Sequence, residues 1–340
     1  MRELRKRGGR ATVRSMRGRL FALVAALALV MVACDGDGGG TTQPPSPGGQ
    51  GEPELSTINL GLLPLADVAP VHIAIAEGFF EEEGLTVEIQ IVESGATAIP
   101  ALVSGDLDVT FGNYVSFFLA SNEGLDLMVI ADQNHATPGF SSMMTLPDSG
   151  IEDPADFEGR TFAVNALSNV AEITTRAQIS DAGGDHDAVE YVEIAFPDMI
   201  AALDRGDVDG IFAVEPFVTI AEQELDAVEV ADPYGGRLEG FPVAGFQATS
   251  EFAEANPNTV AAFQRAMVRA SQLAADEPDR VVDILPEYTE LSPELAANLT
   301  QPEFVSEIDP ADLTVVADLM VEFGLLDEAP DVDALVIPTP

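Results

Sequence analysis

Lysine is absent from the chain after residue 6, and cations of any kind are scarce there. Eight of the 15 Lys+Arg fall in the first 19 residues, and after Cys34 only seven arginines stand against 57 acidic residues. A surface so uniformly negative repels phosphate backbones and anionic lipid, which excludes a nucleic-acid binder. The missing lysine excludes a P-loop and any reaction that needs a lysine Schiff base. Cysteine occurs once, at 34, so no internal disulfide can form. The three histidines, His72, His135 and His186, lie far apart without metal-ligand spacing. After Cys34 no apolar run is long enough to span a membrane. The formal net charge of −43 repels itself and destabilises a compact state unless salt screens it, so the composition points to a saline habitat.

What is present begins with a basic stretch over residues 1–19. The 14-residue apolar run LFALVAALALVMVA follows, and then Ala33-Cys34 and DGDGGGTTQPPSPGGQGEPE. The run is short for a membrane span and suits the core of a signal peptide. The order resembles a bacterial lipoprotein signal over 1–33, with Met31 where Leu is usual. That resemblance implies lipid attachment at Cys34 and a flexible tether over 34–55. A free thiol behind an ordinary signal peptide is the plainer alternative. Export, anchoring at the outer face of the cell membrane and an otherwise soluble monomer are expected.

Beyond the tether the pattern alternates between strands and helices. STINLGLL and TVEIQIV alternate with period two, and PVHIAIAEGFFEEEG between them predicts one helix from Pro70 to Gly84. ATAIPALVSG, DVTFG, YVSFFLASNEG and LMVIAD continue as helix, strand, helix, strand. From about residue 150 the series restarts with RTFAVN, VAEITTRAQISDAGG, VEYVEIAF, PDMIAALDRG and DGIFAV. Residues 101–113, ALVSGDLDVTFGN, are echoed at an offset of 101 by ALDRGDVDGIFAV. The echo marks the same helix–Gly–Asp–strand corner in two equivalent α/β units. After residue 250 the chain turns helical, with helices starting at Asn256-Pro257 and Asp309-Pro310.

In open parallel sheets ligands bind beyond the carboxyl ends of strands. That rule selects Asp67 after the first strand, Asn113 and Tyr114 after the first echo strand, and Glu215 after the second. It also selects Leu167, Ser168 and Asn169 ahead of a helix, and Gln133, Asn134 and Phe140 in ADQNHATPGF. Most have a plainer reading. Asp67, Ser168 and Asn169 suit helix caps, Asn113 suits loop backbone, and Tyr114 and Phe217 suit a core. Glu215, between an apolar strand and Pro-Phe, is an unusual place for a surface charge. Its position predicts a ligand N–H partner opposite Asn113 and Tyr114. Among the arginines only Arg237 is an easy cleft candidate. The run Glu81–Glu83 reads as a solvated helix face.

The stretch GLLPLADVAPVHIAIAEGFFEEEGLTVEIQIVESGATAIPALVSGDLDVTFGN resembles the solute-binding proteins of ABC importers. It is most similar to the branch that handles sulfonates, nitrate, taurine and thiamine-pyrimidine precursors. FEGRTFAVNALSNVAEI and DMIAALDRGDVDGIFAVEPF are similar to the second-lobe motifs of that branch. The resemblance implies an α/β, two-lobed periplasmic-binding-protein-like fold of type II, each lobe a mainly parallel sheet flanked by helices. Lobe one would comprise 56–146 plus 242–340 and lobe two 147–241, with crossover strands at SSMMTL and VAGFQATS. It implies a receptor without cofactor that delivers a small molecule to an ABC permease. A cleft with Asp67 and Glu215 and few cations suits an aminopyrimidine-like compound, while helix N-termini leave a sulfonate, taurine or nitrate as the alternative. A pyrimidine-synthase-like enzyme on the same fold is disfavoured by the missing lysine.

Overall fold

The computed structural model describes residues 51–340. The signal region, Cys34 and most of the tether lie outside the described residues. The expected echo is visible as architecture. One sheet has the strand order β11-β4-β10-β3-β1-β2 and the other β7-β6-β8-β5-β9. In the first, β1 (Thr57–Leu62) lies parallel between β2 (Thr86–Ile91) and β3 (Val109–Asn113). In the second, β6 (Thr161–Val164) lies parallel between β7 (Glu190–Glu193) and β8 (Gly210–Val214). The echo strands β3 and β8 therefore hold the same place in each sheet.

Next to each echo strand runs an antiparallel one. These are β10 (Pro242–Thr249) beside β3 and β5 (Ser141–Thr145) beside β8. SSMMTL and VAGFQATS thus supply strands of the two sheets, and the chain passes between the sheets over 136–140 and 232–241. β4 (Leu127–His135) pairs antiparallel with β10 and with the short β11 (Glu303–Phe304). β9 (Val228–Ala231) pairs with β5.

Helices connect the parallel strands. The single helix expected over 70–84 is two, α1 (Ala69–Ala76) and α2 (Phe79–Glu82), because Gly78 adopts φ 74° between them. α3 (Gly95–Ser104) carries a Ser94–Thr97 capping box, and α4 (Tyr114–Asn122) is capped by Asn113. The second unit has α5 (Val170–Asp181), α6 (Phe196–Asp204) and α7 (Phe217–Leu225).

The tail comprises α8 (Ser250–Ala255), α9 (Pro257–Asp276), α10 (Pro278–Ile284), α11 (Pro293–Ala296) and α12 (Pro310–Glu322). It packs back on the first sheet, Phe263 of α9 standing between Phe80 and Phe246. The side chain of Asn256 does not cap α9. Instead Glu54 reaches from the start of the domain to accept the Asn258 and Thr259 amides at 3.2 and 2.8 Å. Glu83 is ion-paired to Arg265 and Glu82 to Arg269, so part of the acidic run clamps α2 to α9. Among the described residues no helix is long and apolar enough to cross a membrane.

Candidate functional site

The strand ends of the two sheets open on a shared cleft. Leu63, Leu65 and Asp67, past β1, form one wall with Gly95, Phe111, Gly112, Asn113, Val243 and Ala244. Asn165, Val170, Phe196, Phe212 and Val214 form the facing wall, and Tyr234 reaches in from the second passage between the sheets. The close approach of α3 to β3 requires glycine, since a Cβ on Gly95 would stand 2.8 Å from the Gly112 Cα. Three of the lining pairs are echo partners at the offset of 101: Gly95 with Phe196, Phe111 with Phe212, and Asn113 with Val214.

Asp67 is the one acid in this lining. It lies in a short 3₁₀ turn and is 2 % exposed. Its Oδ1 accepts a bond from Asn134 Nδ2 at 3.1 Å, and its carbonyl accepts one from Gln133 Nε2 at 2.8 Å. Oδ2 is buried and has no partner. Burial, only partly offset by the Asn134 bond, pushes the carboxyl up to about 7.

Cations are missing from the cleft wall. Each of the seven arginines among the described residues is ion-paired elsewhere: Arg160 to Asp209, Arg176 to Glu172 and Asp187, Arg205 to Asp207, Arg265 to Glu83, Arg269 to Glu82, and Arg280 to Glu77 and Glu277. Arg237, the cleft candidate of the sequence, is held instead by Asp181 and Glu322 at 2.9 and 2.8 Å. The wall is otherwise apolar and aromatic, relieved by Asn113 and Asn165.

The structure brings only Asp67 and Asn113 of the sequence candidates into the cleft lining. Asn113 also caps α4, its Oδ1 accepting the Ser116 amide at 2.9 Å. Gln133 and Asn134 sit one layer back inside β4, where they orient Asp67. Tyr114 is fully buried and donates to Asp132 Oδ1 at 2.5 Å, with Gly245 leaving room for its ring. Asp132 also meets His135 at 3.1 Å, so Tyr114 belongs to an interior polar cluster and is no ligand platform.

Glu215 is likewise turned away from the cleft. Its carboxylate accepts from the Thr219 amide at 3.1 Å, the Thr219 hydroxyl at 2.9 Å and the Thr300 amide at 3.3 Å. Burial pushes this carboxyl up to about 7 as well, against those three bonds. Asn169 caps α5 and bonds Asn165 at 2.8 Å, supporting a lining residue without being one. Ser168, at φ 54°, faces a separate groove with Arg176, and Leu167 stands 47 % exposed. Phe140 is fully buried outside the lining.

The echo held the signal for the residues that were missed. Alternate strand residues share a face, so Phe111 and Asn113 look into the cleft together, as do Phe212 and Val214. Carrying the offset one position further, onto Tyr114 and Glu215, leaves that face. Tyr234 lies in an irregular passage, where no periodicity marks it.

This cleft, between two sheets of equivalent topology, accompanies a match over most of the domain: residues 66–281 fit the family described as NMT1/THI5 like. The chain belongs to that family. Among NMT1/THI5-like relatives, the taurine-binding periplasmic protein of Escherichia coli (strain K12) is 27% identical over 228 residues, 66% of this chain and 69% of the relative. The formylaminopyrimidine-binding protein of Halalkalibacterium halodurans is 21% identical over 269 residues, 78% of each chain. One more distant relative, at 24% identity over 242 residues, is the 4-amino-5-hydroxymethyl-2-methylpyrimidine phosphate synthase of Aspergillus parasiticus. It covers 66% of this chain and 67% of the synthase. The alkanesulfonate-binding protein SsuA from Xanthomonas axonopodis pv. citri, solved bound to MOPS, has the same two-lobed fold. Its TM-score is 0.71 at 17% identity, covering 84% of this chain and 99% of SsuA.

Proposed function

We propose that this protein is the extracytoplasmic solute receptor of an ABC importer, a monomer tethered by lipid at Cys34 rather than an enzyme. It captures a small polar nitrogen compound of the aminopyrimidine kind between its lobes and presents it to a permease in the cytoplasmic membrane. The lobes follow the two sheets, with residues up to about 136 and beyond about 241 on one side. The observation that carries the ligand class is Asp67 Oδ2, a buried carboxylate oxygen without a donor in a cleft wall without a cation. A buried acceptor of that kind is satisfied by an N–H or ammonium brought by the ligand. The flat aromatic lining suits a ring.

A second reading has its own support. Gly95, Val170 and Phe196, the first residues of α3, α5 and α6, all line the cleft, and helix N-termini hold anions. A sulfonate, taurine or nitrate therefore remains the alternative. Asp67 separates by pH a ligand that brings an N–H, taurine's ammonium included, from a simple anion such as nitrate. An N–H donor is held best by the ionised carboxylate, so its binding tightens as pH rises through about 7. A simple anion prefers the protonated carboxyl, so its binding tightens as pH falls. Thermal-shift titrations of a 4-aminopyrimidine, taurine and nitrate at pH 6 and pH 8 decide between them. Stabilisation by nitrate alone, stronger at pH 6, rules out the aminopyrimidine reading.

A further inference from the structure

Tyr234 differs from every other residue of the cleft wall. It is the one lining residue on a passage between the sheets, and the one lining aromatic that carries a hydroxyl. It is 3 % exposed, yet its hydroxyl makes no hydrogen bond among the described residues. Phe241 backs the ring at 5.7 Å with 26° between planes, and Phe212 meets its edge at 6.4 Å and 88°.

The backbone around Tyr234 is tied to both sides. Its amide donates to Asp232 Oδ1 at 2.8 Å, and the other oxygen of Asp232 accepts the Gly139 amide of the first passage at 3.3 Å. Gln178 of α5 donates to the Pro233 and Gly235 carbonyls, at 3.2 Å each. The ring is thus held in place before any ligand arrives, which lowers the ordering cost of binding. Burial, and then the charge of Asp67, push the Tyr234 hydroxyl well up, so it stays protonated and able to donate.

Building on the receptor reading above, we propose that Tyr234 determines specificity for a flat heteroaromatic ligand that carries an acceptor and a donor on one edge. The ring, backed by Phe241, turns its hydroxyl edge to the heterocycle. The hydroxyl donates to a ring nitrogen while Asp67 accepts from the neighbouring exocyclic amino group. An open-chain aminosulfonate or nitrate has no ring nitrogen beside an amino group for Tyr234 and Asp67 to hold together. Because Tyr234 stands where the chain passes between the sheets, ligand contact bears on that passage.

The chain has no tryptophan and four tyrosines, so ultraviolet emission reports tyrosine. None of the other three lines the cleft: Tyr114 sits on Asp132 and Tyr191 under Arg176, but Tyr288, stacked on His72, donates to the carbonyl of the lining residue Leu65 at 3.0 Å, so emission is compared in a Tyr288→Phe background. The probes are 4-amino-2-methylpyrimidine, taurine and nitrate, titrated by calorimetry and by emission into the wild type, Tyr234→Phe and Tyr234→Leu. The pyrimidine is expected to change wild-type emission. Tyr234→Phe keeps the fold and the ring, loses that emission change and weakens pyrimidine binding about tenfold. Tyr234→Leu weakens it further, while binding of taurine and nitrate, where present, is unaltered in both variants. An emission change that persists in Tyr234→Phe, or wild-type affinity for the pyrimidine in Tyr234→Leu, overturns the assignment and leaves the receptor reading standing. Binding of taurine or nitrate but not the pyrimidine to the wild type has the same consequence. Binding of none of the three overturns the receptor reading and this assignment with it.

Discussion

Asp67 carries a desolvation cost that its neighbours only partly offset. Asn134 and Gln133 fix its position, but one carboxylate oxygen is left without a donor. With the folded-state carboxyl raised from 3.8 to about 7, the folded protein holds its proton more tightly than the unfolded chain. That contribution to stability is complete below about pH 4 and is lost as pH rises towards 7. Asp67→Asn removes the titration while keeping the shape. It should melt with the wild type near pH 4 and above it at pH 8, where the gain is roughly 2–4 kcal/mol. Binding of an amine-bearing ligand should fall in the same variant. Equal melting curves for the two proteins at pH 8 would show that Asp67 is not held out of water as the structure has it. A stabilising substitution that abolishes binding marks a residue kept for function rather than for the fold.

At the scale of the element, Glu215 shows how a well-placed charge is spent inside a structure. Its carboxylate satisfies the start of α7 through Thr219 and reaches across to the Thr300 amide of the tail, while its carbonyl accepts the Ala66 amide beside Asp67. Glu215→Gln replaces one acceptor oxygen by an N–H₂ facing donors. It should cost roughly 1–3 kcal/mol of stability. The melting temperature should fall while ligand affinity changes less than twofold. A large loss of affinity at unchanged melting temperature would return Glu215 to the ligand. The sequence made the strands of both units legible, because alternation and Gly-Asp corners are local, and the capped starts of α5 and α12 were local too. It did not show that Gly78 breaks a helix, since the apolar pattern runs on through it. Nor did it show that β4 continues to His135, because the partners that draw Gln133 and Asn134 into a sheet come from β10 and β11, more than a hundred residues later. Glu215 was misread for a related reason. Its bonding partners lie in α7 and at Thr300, and neither is visible from the strand end alone.

Taken whole, the molecule has acid to spare and very little base. Among the arginines Arg237 alone joins the two halves, reaching from the second passage to Asp181 of α5 and, with two parallel bonds, to Glu322 of α12. The other six pair within one half. With seven arginines placed against 57 acidic residues after Cys34, most carboxylates have no cation nearby and repel one another. At 0.1 M ionic strength the screening length is about 10 Å, comparable to the spacing of neighbouring surface charges, and at 1 M it is about 3 Å. Salt also weakens the exposed Arg237 pair, but such a pair contributes only about 0–1 kcal/mol. Repulsion summed over dozens of acids outweighs it. The melting temperature at pH 7 should therefore rise with sodium chloride, most steeply below roughly 0.5 M, where screening changes fastest. Arg237→Gln should show the same rise, displaced by a degree or two. Calorimetric scans from 0.05 to about 2 M sodium chloride measure both proteins side by side. A wild-type melting temperature that is flat or falls over that range would mean that the carboxylates are far enough apart to ignore one another, and the saline habitat would lose its physical basis.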